Sequence, residues 1–175
     1  MSLFVVLVII QRIDMERLKI YEVKTEYIAY LSQYQDHIFW SGGEKAGRKY
    51  IGVIFQIGSY CYFAPLSSYK AKHKRMSETV DFLKIKDYAV ININNMIPVP
   101  TGVYELTDIN HVKDEHYRYL LQAESRTINA MRSRIMKNAE IVYHHKLRNG
   151  DNTPLSMRSN DFMVLEAACD RYISG

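Results

Sequence analysis

Two β-rich runs separated by a two-residue turn constrain the fold more than any other feature of the chain. The runs are 49-KYIGVIFQI-57 and 60-YCYFAPL-66, and only Gly58 and Ser59 lie between them. Runs this close in sequence pair as an antiparallel hairpin, and a glycine-serine dipeptide suits the tight turn. Pro65 has no N–H to give to a ladder, so we expect the second strand to end there.

Elements on both sides of this hairpin predict an α+β fold. Thr25 resembles the N-cap of a helix over 26-EYIAYLSQY-34, whose aromatic face holds Tyr27, Tyr30, Leu31 and Tyr34. Further strands are expected over residues 19–23, 79–85 and 88–93. An antiparallel sheet with helices before and after it favours a curved sheet covered by helices.

The second half of the chain is expected to be mainly helical. A long helix is predicted over 114–143, interrupted near 127–129, and a last helix over 161–172, capped by Ser159 or Asn160 after a loop at 148–160. The apolar stripe of the long helix consists of Tyr117, Leu120, Leu121, Ile128, Met131, Ile135 and Val142.

The N-terminal run 3-LFVVLVII-10 is apolar but much shorter than the ~20 residues that span a bilayer. It has no basic region before it and no small-residue cleavage site, which argues against a signal peptide. We therefore expect residues 1–17 to form an apolar extension, residues 18–175 to form a single domain, and the protein to be cytoplasmic.

Positive charge is concentrated in one region of the chain. No acidic residue lies between Glu44 and Glu78, while this window holds Lys45, Arg48, Lys49, Lys70, Lys72, Lys74 and Arg75. The rest of the chain has 16 cations against 19 acids. Such a distribution is typical of a phosphate-facing surface, although a solvated basic loop explains it equally well.

Several kinds of catalytic site are not indicated. The glycine-rich loop 41-SGGEKAG-47 lacks the lysine-serine end of a phosphate-binding loop. His111 and His116 are five residues apart, which is not the spacing of a helical zinc pair, so no metal site is predicted. Ser67 and Ser68 are not part of the Gly-x-Ser-x-Gly turn that serine hydrolases use.

The stretch 64-APLSSYKAKHKR-75 places hydroxyls and cations together at a strand exit. Hydroxyl and ammonium groups bind phosphate oxygens and stabilise the charge that develops during phosphoryl chemistry. RNA carries its own nucleophile, the 2′-hydroxyl, so a protein need only align it, neutralise the phosphate and help protons move. The stretch therefore suggests RNA cleavage without a metal or other cofactor.

Four motifs in the same order resemble the ToxN/AbiQ toxins of type III toxin–antitoxin systems. They are 20-IYEVKTEYIAYL-31, 48-RKYIGVIFQI-57, 62-YFAPLSSYK-70 and 91-ININNMIPV-99. The resemblance implies a compact, strongly twisted antiparallel sheet similar to the Kid/MazF barrel and surrounded by helices. It implies metal-independent cleavage of adenine-rich RNA, leaving 2′,3′-cyclic phosphate and 5′-hydroxyl ends, and a role in abortive phage infection. It also implies inhibition by a repeated pseudoknot RNA antitoxin, which the toxin processes and joins in a ring-like complex.

The resemblance also assigns candidate site residues. The expected catalytic set is Ser67, Ser68, Lys70, Tyr27 and a cation at either Arg48 or Lys49. The cations expected to bind the RNA backbone are Lys72, Lys74 and Arg75, with His73 as a candidate general acid–base among them. Base recognition or turn formation is expected of Asn92, Asn94 and Asn95.

Two alternatives to this reading stay open at the level of sequence. One is an RNase toxin of the Kid/MazF kind that is inhibited by a protein antitoxin. The other is an RNA-binding module without catalytic activity. A tandem-repeat array beside the gene would indicate an RNA antitoxin and argue against the first alternative. Loss of cleavage on substitution of Lys70 or Ser67 would argue against the second.

Overall fold

The computed structural model of the chain describes residues 17–38 and 48–175. The expected N-terminal extension lies outside the described residues except for Arg17, and so does the loop 41–47. The strands are β1 (Lys19–Val23), β2 (Lys49–Ile57), β3 (Tyr60–Ser68), β4 (Phe82–Ile85), β5 (Ala89–Asn92), β6 (Ile97–Pro98) and β7 (Tyr104–Leu106). The α-helices are α1 (Thr25–Leu31), α2 (Glu115–Ala130), α3 (Arg132–Asn149), α4 (Pro154–Arg158) and α5 (Phe162–Ser174), and 3₁₀ turns lie at Ala71–Lys74, Ile93–Asn95 and Ile109–His111.

The described strands form one antiparallel sheet in the order β4-β5-β3-β2-β1-β7, and β6 pairs with β3. A closed barrel requires the two terminal strands to pair. No such pairing joins β4 to β7 within the described residues. The α+β fold with an antiparallel sheet and helices around it is confirmed, whereas the Kid/MazF-like barrel is not, because the sheet is open.

The hairpin at Gly58 and Ser59 is confirmed, since Ile57 pairs with Tyr60 across it. Gly58 has a φ of 55°, a left-handed conformation that glycine adopts at little cost. The expectation that Pro65 ends β3 is wrong, because the strand continues to Ser68.

Pro65 is tolerated inside β3 because of where its missing N–H would point. The Val99 N–H donates to the Cys61 carbonyl at 2.9 Å, and the Tyr69 N–H donates to the Tyr88 carbonyl at 3.2 Å. Odd-numbered residues of β3 therefore direct their peptide groups toward β6 and β5. Pro65 falls in the gap between the pairing with β6 and the pairing with β5, where no ladder bond is lost.

Alternate residues of β3 pack into different cores, so helices cover both faces of the sheet. Tyr62, Ala64 and Leu66 lie in one buried cluster, whose helical members include Ile128, Ile135 and Val142. Phe63 lies in a second cluster, whose helical members include Tyr27, Leu31, Leu165 and Ala168. The period of two along a strand produces this division. Within the described residues, no helix is both long and apolar enough to cross a membrane.

Several expected helix boundaries are shifted. The first helix begins at Thr25 itself, without a side-chain cap, and ends at Leu31. The long helix is two helices that meet at Met131, just after the expected interruption. Tyr117, expected in the apolar stripe, is 41% exposed in the first turn of α2. Periodicity identifies the apolar face of a helix but not where the sheet beneath that face ends.

The expected loop at 148–160 is wrong in part, because it contains the short helix α4. The Thr153 hydroxyl accepts the Ser156 N–H at 3.1 Å, and Pro154 occupies the first helical position. The cap of α5 is neither Ser159 nor Asn160. Asp161 caps it, and its carboxylate accepts the Val164 N–H at 3.2 Å.

A buried carboxylate joins the sheet to two helices. Glu166 of α5 accepts hydrogen bonds from the Tyr62 hydroxyl at 2.7 Å and from the Tyr143 hydroxyl at 2.9 Å. Burial and these hydrogen bonds raise the pKa of both tyrosines well above its usual value. The carboxylate thus ties β3, α3 and α5 together at one point in the core.

Glu124 of α2 is a buried carboxyl group of a different kind. It is 5% exposed, and burial raises its pKa to about 7. The described residues give it no ion pair. Because an unfolded glutamate ionises near pH ~4.3, the folded state binds more protons between that value and about 7. The folded protein therefore loses stability across this window as the pH rises.

We predict that Glu124→Gln removes this loss. Between about pH 5 and about pH 8, the wild type is expected to lose on the order of 2 kcal/mol of unfolding free energy relative to the variant. Urea denaturation of both proteins at the two pH values measures the difference. Glu140→Gln, at an exposed position of α3, is the control and should follow the wild type. Equal pH dependence in wild type and Glu124→Gln would contradict the assignment.

A candidate nucleic-acid interface at the exit of β3

The structure brings the predicted serines and lysine together at the end of β3. Ser67 is half-buried, Ser68 is exposed and is the last residue of the strand, and Lys70 follows, exposed, two residues later. The Tyr69 N–H still donates to the carbonyl of Tyr88, the residue before β5, and Lys70 has an extended backbone with φ −125° and ψ 159°. The rigid ladder therefore continues to the edge of the cationic segment.

Strand alternation separates the two serines. Ser68 continues the series that contains Ala64 and Leu66, and Ser67 continues the series that contains Phe63. Because the backbone stays extended, Lys70 lies on the same side as Ser68. The exit of β3 thus has one exposed hydroxyl–ammonium pair and one serine on the opposite face.

Arg48 and Lys49 have different partners. The Arg48 guanidinium donates from Nη2 to the Ser67 Oγ at 3.3 Å. The pairing of Tyr50 with Pro65 places Arg48 opposite Ser67 when the register is continued. Lys49 points to the other face and pairs with the carboxylate of Glu22 in β1. The geometry thus associates Arg48 with Ser67, on the face opposite Ser68 and Lys70, while Lys49 is held by Glu22.

His73 is buried under the turn that follows Lys70. The Lys70 N–H donates to His73 Nδ1 at 2.9 Å, and the His73 N–H donates to the Lys70 carbonyl at 2.8 Å. The imidazole also contacts the rings of Tyr69 and Phe82, with centroids 5.5 and 5.8 Å apart. Burial, and then the charges of nearby lysines, lower the pKa of His73. A neutral imidazole therefore fixes the backbone of the turn.

The turn displays its cations to solvent. Lys72, Lys74 and Arg75 are exposed, and the described residues offer none of them an acidic partner. The next acidic residue along the chain is Glu78. Its Oε2 accepts hydrogen bonds from Nη1 and Nη2 of Arg134, both at 3.2 Å. Net positive charge therefore remains on this surface, as a phosphate-binding face requires.

The other predicted residues lie in more structural settings. Tyr27 is fully buried, and its hydroxyl donates to the Pro98 carbonyl at 2.7 Å. Burial is the main cause that raises the pKa of this hydroxyl. Asn94 donates to the Arg158 carbonyl at 2.9 Å and so fixes the chain before α5. Asn92 and Asn95 are half-buried beside it, at the end of β5 and in the following 3₁₀ turn.

Sequence reasoning missed a pocket beside this exit. The pocket has a volume of about 240 Å³ and lies between the β4–β5 turn and α2. Its lining consists of Lys86, Tyr88, Ala123, Arg126, Thr127 and Ala130. No local motif marks these residues, because the pocket forms only when α2 packs beside the β4–β5 turn. Among the described residues, no group of three or more His, Cys, Asp or Glu is placed to hold a metal ion.

The chain is similar to known proteins over most of its length. The family model described as toxin ToxN of type III toxin–antitoxin systems matches residues 19–170. The endoribonuclease ToxN of Bacillus thuringiensis subsp. kurstaki is 28% identical over 162 residues, which cover 88% of this chain and 84% of that protein. The endoribonuclease AbiQ of Lactococcus lactis subsp. lactis is 29% identical over 168 residues, which cover 89% of each chain.

Solved structures show the same fold. One of them comes from work on selective toxin inhibition by a non-coding RNA pseudoknot in bacterial type III toxin–antitoxin systems. It has a TM-score of 0.79 and 26% sequence identity, and the match covers 91% of this chain and 100% of that one. The structure of AbiQ, a lactococcal anti-phage endoribonuclease, has a TM-score of 0.81 and 24% identity with the same coverage. The second likeness supports the fold alone.

The setting of His73 generates a prediction about pH. Its ring should titrate below the ordinary value of about 6.5, because the neutral form is buried and accepts the Lys70 N–H. Its contribution to stability is complete above that value and is lost as the pH falls through the folded-state pKa. NMR titration of the ring, together with the Lys70 amide resonance, measures both effects.

His73→Asn is the matched variant, since an amide oxygen can accept the same hydrogen bond but does not titrate in this range. The pH dependence of the Lys70 amide should disappear in this variant. A ring that titrates at or above the ordinary value in the wild type would show that the imidazole is not the buried acceptor.

Proposed function

The chain belongs to the ToxN family of type III toxin–antitoxin toxins and is an endoribonuclease, and we propose that it cuts RNA at the exit of β3. The observation that carries this proposal is the exposed pair of Ser68 and Lys70 beside a surface of cations without described acidic partners. A hydroxyl and an ammonium group at the end of a rigid strand can hold a phosphate in a fixed position.

We propose transesterification as the reaction, with the substrate supplying the nucleophile. The 2′-oxygen forms a bond to phosphorus while the bond from phosphorus to the 5′-oxygen breaks. The proton of the 2′-hydroxyl leaves to a base, and the departing 5′-oxygen takes up a proton. The products are a 2′,3′-cyclic phosphate and a 5′-hydroxyl. The protein contributes alignment and stabilisation of the charge on the phosphate oxygens.

The proposed roles follow the two faces of the strand. Lys70 neutralises the scissile phosphate and assists proton transfer, and the Ser68 hydroxyl binds a phosphate oxygen or orients the 2′-hydroxyl. Arg48 holds Ser67 from the opposite face and adds positive charge. Lys49, which is paired with Glu22, is the weaker candidate for the site cation.

The remaining candidates take supporting roles in this proposal. Lys72, Lys74 and Arg75 bind the RNA backbone beyond the cut, and His73 positions their turn through the Lys70 backbone. Tyr27 acts as a positioning residue, because its hydroxyl is committed to a buried carbonyl. Asn92 and Asn95 are the candidates for contacts to bases, whereas the Asn94 amide holds the backbone before α5.

Regulation is proposed from the relatives. A structure at 26% identity comes from work on toxin inhibition by a non-coding RNA pseudoknot. We propose that a repeated pseudoknot RNA, which this protein also processes, inhibits it in a ring-like complex. The proposed target is adenine-rich RNA in the cytoplasm, and the proposed role is abortive phage infection, with residues 18–175 acting as one domain. The alternative of a protein antitoxin, as in Kid/MazF toxins, would require a protein that copurifies in place of RNA.

Lys70→Ala is predicted to lower the rate of RNA cleavage by roughly 100- to 1,000-fold, because it removes a charge that stabilises the transition state. Ser68→Ala should lower it in the same direction. Single-turnover cleavage of an adenine-rich RNA measures both. Lys113→Ala removes the same charge from an exposed position before α2 and should leave the rate unchanged. Full activity in a folded Lys70→Ala variant would exclude the proposed site.

Chelation should have no effect on cleavage, because the proposed reaction uses side chains and the substrate's own hydroxyl. We expect equal rates with and without EDTA, and products with 2′,3′-cyclic phosphate and 5′-hydroxyl ends. Mass spectrometry of the fragments identifies the ends. Loss of activity in EDTA, or fragments with 5′-phosphate ends, would show that water or a metal-bound nucleophile attacks instead.

A further inference from the structure

We propose that the pocket between the β4–β5 turn and α2 is a subsite for one unpaired nucleotide of RNA, next to the cleavage site. This inference rests on the proposed function and specifies its substrate. The pocket has Lys86 and Arg126 as exposed cations, Tyr88 as a half-buried aromatic wall, and small residues of α2 along one side.

The pocket is joined to the candidate site by the backbone of two paired strands. Tyr88 accepts the Tyr69 N–H at 3.2 Å, and its neighbour Ala89 pairs directly with Ser68. Paired residues of an antiparallel ladder have Cα atoms only about 5 Å apart. A nucleotide whose base enters the pocket would therefore have its phosphate within reach of the Ser68–Lys70 pair.

The lining has the chemistry that a nucleotide requires. Lys86 Nζ lies over the Tyr88 ring, 6.0 Å from its centroid, at the outer limit of a cation–π contact. A base stacked on this ring would therefore also lie beside the ammonium group. Among the described residues, neither Lys86 nor Arg126 has a carboxylate partner, which leaves both charges for phosphate. The Thr127 hydroxyl donates to the Ala123 carbonyl at 2.9 Å, so apart from the Arg126 guanidinium the α2 side of the pocket is largely apolar.

The size and shape of the pocket favour one unpaired nucleotide over other ligands. Its volume of about 240 Å³ is below the roughly 300–1,000 Å³ of pockets that enclose drug-sized molecules. Paired bases hide their faces inside a duplex, and only unpaired bases stack on protein aromatics. Lys86 lies in the β4–β5 turn with a φ of 50°, and the Tyr88 N–H donates to the Ile85 carbonyl across this turn at 3.0 Å. The turn therefore presents its cation and its ring from a defined backbone.

The experiment measures binding of single-stranded hexa-adenylate by fluorescence anisotropy, in the Lys70→Ala background so that cleavage does not interfere. Lys86→Gln and Arg126→Gln should each weaken binding and reduce the slope of log Kd against log salt by about 0.7. Lys113→Gln is the charge-matched control and should change neither quantity. Unchanged affinity and slope in both pocket variants would overturn the proposal.

The aromatic wall has its own test. Tyr88→Leu should weaken binding of hexa-adenylate roughly 5- to 100-fold, the range for loss of one stacked base. Tyr88→Phe retains the ring and should bind as the parent protein does. Binding of duplex RNA should not respond to Tyr88→Leu. Equal losses for single-stranded and duplex RNA would overturn the claim that the subsite takes an unpaired nucleotide.

Failure of this inference and failure of the proposed function are distinguishable. If Lys70→Ala still cuts RNA but the pocket variants lose affinity, the cleavage site is misassigned and the subsite stands. If Lys70→Ala is inactive and the pocket variants bind hexa-adenylate like their Lys70→Ala parent, the subsite is wrong and the cleavage site stands.

Discussion

The central position of β3 is the constraint on which the rest of the structure depends. This strand pairs with β2 along one edge and with β6 and then β5 along the other. Its alternate side chains enter both hydrophobic clusters, and its Tyr62 hydroxyl bonds to the buried Glu166. The last residues of such a strand can carry polar groups without losing their position, because the ladder beneath them is fixed on both sides.

Charge on this surface is arranged by pairing some cations and leaving others exposed. Lys49 is paired with Glu22, and Arg158 makes two hydrogen bonds of 2.7 Å to the buried Asp81. Burial alone would raise the pKa of Asp81, but the bonds from Arg158 and Thr79 outweigh it and lower that pKa. The cations around Lys70 have no such partner among the described residues. These acidic side chains therefore anchor segments of the fold to one another. The cations of the turn keep their charge available for an anion such as phosphate.

Local chemistry in the sequence is enough to predict the hairpin and the charge beyond its second strand, but not the residue at which that strand ends. The choice between Arg48 and Lys49 could not be predicted, since it depends on strand register, which determines which of two neighbours faces Ser67. Pro65 was misjudged because its tolerance depends on a gap between two partner strands. Thr153 and Pro154 did carry a helix-start signal, which the surrounding polar residues obscured. The pocket beside Tyr88 arises from packing between distant segments, which no local pattern encodes.

A strand with neighbours on both edges exposes its peptide groups to exchange only when the sheet itself opens. On the proposed function, the hydroxyls at the end of β3 are therefore in their working position whenever the sheet is formed. A regulator of such a surface cannot act by unfolding the site and must instead act as a cover that blocks access to it. On the proposed function, the delay between loss of the antitoxin and the first cut is set by dissociation of the cover, without a maturation step in the enzyme.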